Sequence, residues 1–109
     1  MKPGGQDMNV AAETKEMMKR EIASGLSSFP EVRRVVIFGS FVNSDDPHDL
    51  DIAVFQDSKE SYYPLARKYR RMLRNIARMI PLDVIPVRPN PEQGPLLREI
   101  EKGEVIYEG

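Results

Sequence analysis

The sequence contains no cysteine and only one histidine. The first absence excludes disulfides, thiolate zinc sites and cysteine nucleophiles together. It fits a reducing compartment, so a cytoplasmic location is expected. The second excludes a multi-histidine metal centre within one chain. No stretch approaches the roughly 20 apolar residues that a membrane-spanning helix needs. The start, Met1-Lys2-Pro3-Gly4-Gly5, has no apolar core of the signal-peptide kind. No membrane partner is therefore expected. An excess of one charge is also missing: 16 Lys and Arg stand against 17 Asp and Glu, giving a net charge of −1. Without a global basic field, direct nucleic-acid binding is not expected.

What is present fits a folded domain. At 109 residues the chain is long enough for one domain, and a domain of that size buries roughly 60–70% of its unfolded surface. Hydrophobic residues make up 40% and charged residues 30%, a balance that supports a core. Residues 1–7 read as a disordered leader, and residues 8–109 as a single domain.

Periodicity supplies the elements. Between about Met8 and Phe29, Met18, Ile22, Leu26 and Phe29 recur at helical spacing, and Pro30 stops the run. Arg33 to Phe38 is β-branched and apolar and reads as a buried strand. Gly39-Ser40 breaks it, and Phe41 to His48 reads as a short turn of helix followed by a loop. Leu50 to Phe55 is a second strand. Asp57-Ser58 is placed to cap a long helix from about Lys59 to Met79, with Pro64 in or near its first turns as an alternative marker of the true start; its apolar stripe is Leu65, Tyr69, Met72, Leu73, Ile76 and Ile80. Leu82 to Val87 is a third strand, and Pro86 marks it as an edge. Leu96, Leu97 and Ile100 mark a short helix ending near Gly103, and Val105 to Tyr107 a closing strand. The order predicts an α/β or α+β fold, with helices packed on a small mixed sheet.

Three carboxylates are out of place in that plan. Asp49 and Asp51 open the apolar run Ile52-Ala53-Val54-Phe55, and Asp83 sits inside Leu82-Asp83-Val84-Ile85. Side chains alternate along a strand, so Asp49 and Asp51 point the same way. Like charges that close raise one another's pKa, and a hard divalent cation such as magnesium relieves the repulsion. Taken singly, each aspartate also reads as a turn residue or a solvent-facing edge position. Gly39-Ser40 is by itself an ordinary turn, but glycine permits close backbone approach to a ligand and the serine hydroxyl adds a donor or acceptor. Three carboxylates beside such a turn are equipment for two-metal phosphoryl or nucleotidyl transfer.

Gly39-Ser40, Asp49-Leu50-Asp51-Ile52-Ala53-Val54 and Leu82-Asp83-Val84-Ile85 together resemble the minimal nucleotidyltransferases of the DNA polymerase beta superfamily. So does the ending from Leu96 to Glu108. The resemblance implies a nucleotidyltransferase fold and a magnesium-dependent transfer of a nucleoside monophosphate, with ATP the expected donor. It implies that Gly39 and Ser40 hold the triphosphate. Asp49 and Asp51 would ligate magnesium, and Asp83 would complete a second metal site and help activate the attacking hydroxyl. Relatives of this kind often work with a helical partner of the HEPN type, some as antitoxins that adenylylate a partner tyrosine. The loop from Phe41 to His48 departs from the family pattern. It is shorter than is common, it has Phe41 and Asn43 in place of frequent arginines, and Ser44 and His48 replace a frequent glycine and serine. A non-catalytic partner-binding module, or a nucleotide sensor on the same fold, is the alternative these departures leave open.

Two further features stand outside the trio. Arg67, Arg70, Arg71, Arg74 and Arg78 fall on one side of the long helix, with Lys68 nearby. They read as a solvated face, as a docking surface for an acidic partner, or as a reach toward triphosphate. Tyr62 and Tyr63 can stack or pack, with at least one expected in the core.

Overall fold

The computed structural model describes residues 12–109. The expected leader and the first residues of the first helix lie outside that range. The chain runs α1 (Ala12–Leu26), β1 (Val32–Phe38), α2 (Ser40–Asn43), β2 (Leu50–Gln56), α3 (Tyr62–Met72), α4 (Arg74–Ala77), β3 (Leu82–Val87), α5 (Pro95–Glu101) and β4 (Glu104–Glu108). The four strands form one mixed sheet in the order β3-β2-β1-β4. β1 pairs antiparallel with both β2 and β4, while β2 and β3 are parallel. A parallel pair needs a crossover, and α3 and α4 supply it. β3 lies at the sheet edge, where Pro86 leaves no inner ladder bond unmade.

Alternation along the strands sorts the core into two layers. One face presents Val35, Ile37, Leu50, Ile52, Val54, Leu82 and Val84 to Met18, Ile22 and Leu26 of α1 and to Leu65, Tyr69, Leu73 and Ile76. The other face presents Val36, Phe38, Ala53, Phe55 and Val87 to Leu97 and Ile100 of α5. Because β2 is covered on both sides, its sequence is a continuous apolar run rather than an alternating one. Among the described residues, no helix is long and apolar enough to cross a membrane.

Several boundaries differ from expectation. The first helix ends at Leu26, and Phe29 sits in the following turn with its ring edge-on to Tyr69 at 5.3 Å. The helix expected from Lys59 begins at Tyr62, and Asp57-Ser58 does not cap it. Asp57 instead accepts from Arg33 at 2.8 Å, and the Ser58 hydroxyl accepts from the Glu60 amide at 3.0 Å. Leu73 interrupts the helix with φ −102° and ψ 21°, its amide shared between the carbonyls of Tyr69 and Arg70. That adjustment keeps both Leu73 and Ile76 buried as the chain turns toward β3. Met72, expected in the apolar stripe, is 44% exposed. One ion-pair network pins α3 to the entrance of β1: Lys68 lies 2.9 Å from Glu31, and the Tyr69 hydroxyl donates to Glu31 at 2.8 Å.

Candidate active site

The end of β1 and the starts of β2 and β3 meet on the sheet face that carries α5. Register places Phe38 opposite Asp51, and Asp51 opposite Asp83. Asp83 therefore stands beside Asp51 on the neighbouring parallel strand, and both side chains fall on the same face. Asp49, two positions before Asp51, sits just outside the strand. The expected trio is brought to one corner of the sheet. Asp51 is half-buried, whereas Asp49 and Asp83 are exposed.

The turn after β1 is built around Asp51. Gly39 adopts φ 80° and ψ −153°, a region open essentially to glycine alone. A Cβ at that position would lie 2.6 Å from Asp51 Oδ2. The residue is glycine for two independent reasons, its backbone angles and the carboxylate pressed against it. Ser40 follows and donates through Oγ to Asp49 Oδ1 at 3.2 Å. The turn thus touches the carboxylates of both Asp49 and Asp51. Buried Phe41 anchors α2 in the core, and Lys15 of α1 ties down the end of the helix by donating to the Ser44 carbonyl at 2.7 Å. On the other side, the Leu50 amide donates to the Pro81 carbonyl at 2.9 Å, and Arg70 donates to the Leu82 carbonyl. Both bonds fix the strand ends that carry Asp49, Asp51 and Asp83.

Electrostatics set Asp51 apart. Burial pushes its carboxyl above the usual carboxylate range, and the charges of Asp49 and Asp83 push it further the same way. Among the described residues, no three acidic, histidine or cysteine side chains converge tightly enough to form a finished metal cage. The charges of Asp49 and Asp83 reach Asp51, while the three carboxylates do not close on a common point. The donor set is all oxygen and includes a half-buried member, which fits a hard divalent cation whose remaining ligands come from phosphate and water.

Other expected residues fall differently. His48 is exposed on the loop before β2. Neither tyrosine enters the core: Tyr62 is 44% and Tyr63 74% exposed, their rings edge-to-face at 5.2 Å. Burial raises the Tyr62 phenol above its usual value, and the charge of Asp83 adds to the shift, so this ring is an unexpected neighbour of the site. Of the basic residues on the crossover helices, Arg70 alone is turned to the site strands, while Arg67, Arg71, Arg74 and Arg78 point to solvent. Nothing in the sequence separates Arg70 from its neighbours, because its role depends on where β3 begins.

A family model described as "Polymerase beta, Nucleotidyltransferase" matches residues 20–109. A crystal structure from Sulfolobus solfataricus, provisionally described as a nucleotidyltransferase, is similar in fold at 22% identity. The alignment covers 88% of this chain and 81% of that one, with a TM-score of 0.52. No curated protein matches the chain. With the family match running from α1 through β4, the chain belongs to the polymerase beta nucleotidyltransferase family.

Proposed function

We propose that the chain is a magnesium-dependent nucleotidyltransferase, moving a nucleoside monophosphate from a triphosphate, with ATP the expected donor, onto a hydroxyl of a HEPN-type partner protein. The carrying observation is the register that sets Asp51 beside Asp83 and against the Gly39 turn. In this reading the Gly39 backbone and the Ser40 hydroxyl receive the triphosphate tail. Asp49 and Asp51 hold magnesium, and Asp83 completes a second metal position. Bound magnesium would neutralise charge on the phosphate oxygens and on the leaving pyrophosphate. Asp83 accepts the proton of the attacking hydroxyl. That oxygen bonds to the α-phosphorus as the bond to the β-phosphate oxygen breaks, and pyrophosphate leaves in line.

The test is incubation with ATP labelled at the α-phosphate, magnesium and a HEPN-type protein encoded beside this chain. Label on the partner with matching pyrophosphate release is expected, and Asp49→Asn with Asp51→Asn should abolish both. No transfer together with no metal-dependent nucleotide binding would sink the proposal. The loop from Phe41 to His48 carries no lysine or arginine, which favours a second reading, a module that neutralises its partner by binding alone. Full neutralisation by the double variant would select that reading.

A further inference from the structure

Beyond Asp83, at the edge of the sheet, a cavity of about 370 Å³ opens between the α5 face of β3, α5 itself and the first turn of α3. Tyr62, Ile85, Pro86, Pro95, Leu96 and Leu97 form most of its wall. The wall is mainly apolar, and its single cation, Arg88, is matched by Glu92. So apolar a wall suits an uncharged, flat group better than a phosphate chain or an acidic peptide. The cavity volume falls in the range that takes a small ligand or part of one, which is too small for an extended protein surface. Tyr62 and Leu96 are large, and each is about half exposed there, so flat aromatic and aliphatic surfaces are free for contact.

Ile85 is the next residue after Asp83 on that face of β3, and successive same-face positions are roughly 6–7 Å apart. The cavity therefore begins one strand step from Asp83. In a nucleoside triphosphate the base hangs from the α-phosphate by one ribose, a span of the same order.

We propose that this cavity receives the nucleobase of the triphosphate, with the Tyr62 ring as the surface against which the base lies and Pro86, Pro95 and Leu96 as its apolar flanks. The proposal rests on the nucleotidyl-transfer reading of the carboxylates. It assigns the chain a base site of its own, without a second domain.

The experiment measures equilibrium binding, in magnesium, of ATP, GTP, CTP and UTP against inorganic tripolyphosphate, which has no base. At least one nucleotide should bind about tenfold or more tighter than tripolyphosphate, the scale of one base–aromatic contact. Tyr62→Ala should remove about tenfold from that nucleotide's affinity and leave tripolyphosphate unchanged, while Tyr62→Phe, which keeps the ring, should retain most of it. Leu96→Ser should act in the same direction as Tyr62→Ala. Nucleotides that bind no better than tripolyphosphate would overturn the base site while leaving the phosphate and metal reading intact. So would an unchanged nucleotide affinity in Tyr62→Ala, including the case where that variant loses only its hold on a partner protein. If neither nucleotide nor tripolyphosphate binds with magnesium, the nucleotidyl-transfer reading fails and the base site falls with it.

Discussion

Gly39 and Asp51 sit so close that each fixes what the other can be. The glycine backbone lies in a region costing other residues of order 1–3 kcal/mol, and any Cβ would meet Asp51 Oδ2 at 2.6 Å. Gly39→Ala is therefore expected to lower stability by about 2 kcal/mol and to displace the carboxylate that the site needs. Urea denaturation checks the first effect, and a wild-type midpoint would contradict it. At this scale the sequence revealed the acids well. An aspartate inside Leu82-Asp83-Val84-Ile85 is conspicuous because its neighbours are buried. Tyr62 was not legible in the same way. Whether a tyrosine near a helix start enters the core depends on where the helix begins, and it begins at Tyr62 rather than at Lys59.

Elements were legible wherever burial is one-sided or complete. β2 and β3 emerged almost to the residue because central and edge strands leave different marks, a continuous apolar run and an internal proline. The long helix was harder. Its apolar period runs on through Leu73, yet local backbone adjustment splits it, and only tertiary packing dictates that split. What ties α3 to the start of β1 was likewise invisible, because Glu31 and Tyr69 are 38 residues apart. Burial works to raise the Glu31 carboxyl, but the Lys68 ammonium, its own backbone amide and the Tyr69 hydroxyl outweigh it and hold the pKa below the ordinary value of 4.5. A carboxylate with a lowered folded-state pKa adds stability that is complete above the unfolded value and is lost as pH falls through the lowered one. Glu31→Gln should therefore destabilise the fold at neutral pH by about 1.5–3 kcal/mol, the range for hydrogen bonds to a charged group. It should also flatten the fall in stability on acidification below pH 4.5. Urea unfolding at neutral and acid pH measures both effects, and identical pH slopes for the two proteins would count against this role.

Over the whole molecule, a net charge of −1 conceals a separation. Acids gather at the corner where β1, β2 and β3 meet, while the exposed side of the crossover helices carries Arg67, Arg71, Arg74 and Arg78. Composition alone cannot show this, because it sums over the whole chain. The sheet order brings three aspartates that are far apart in sequence to one corner, where the end of β1 meets the starts of β2 and β3. The acids were visible one at a time in the sequence, but their direct opposition across β2 and β3 exists only in the register. That opposition has an energetic consequence. Asp51 has a raised pKa from burial and from Asp49 and Asp83, so the folded state favours its protonated form. A carboxyl with a raised folded-state pKa loses stability as pH rises through that pKa, so burial and the neighbouring charges of Asp51 work against folding at higher pH unless a cation offsets them. A cation that binds only the folded form should reverse the effect.

The most direct measurement is the denaturation midpoint of the native chain and of Asp51→Asn at neutral pH, each with and without magnesium and ATP. The native chain should gain stability from magnesium and ATP, whereas Asp51→Asn should be the more stable of the two without them and gain little when they are added. An Asp51→Asn protein that is no more stable without metal, yet gains as much from magnesium and ATP as the native chain does, would contradict a cation site built on the three carboxylates.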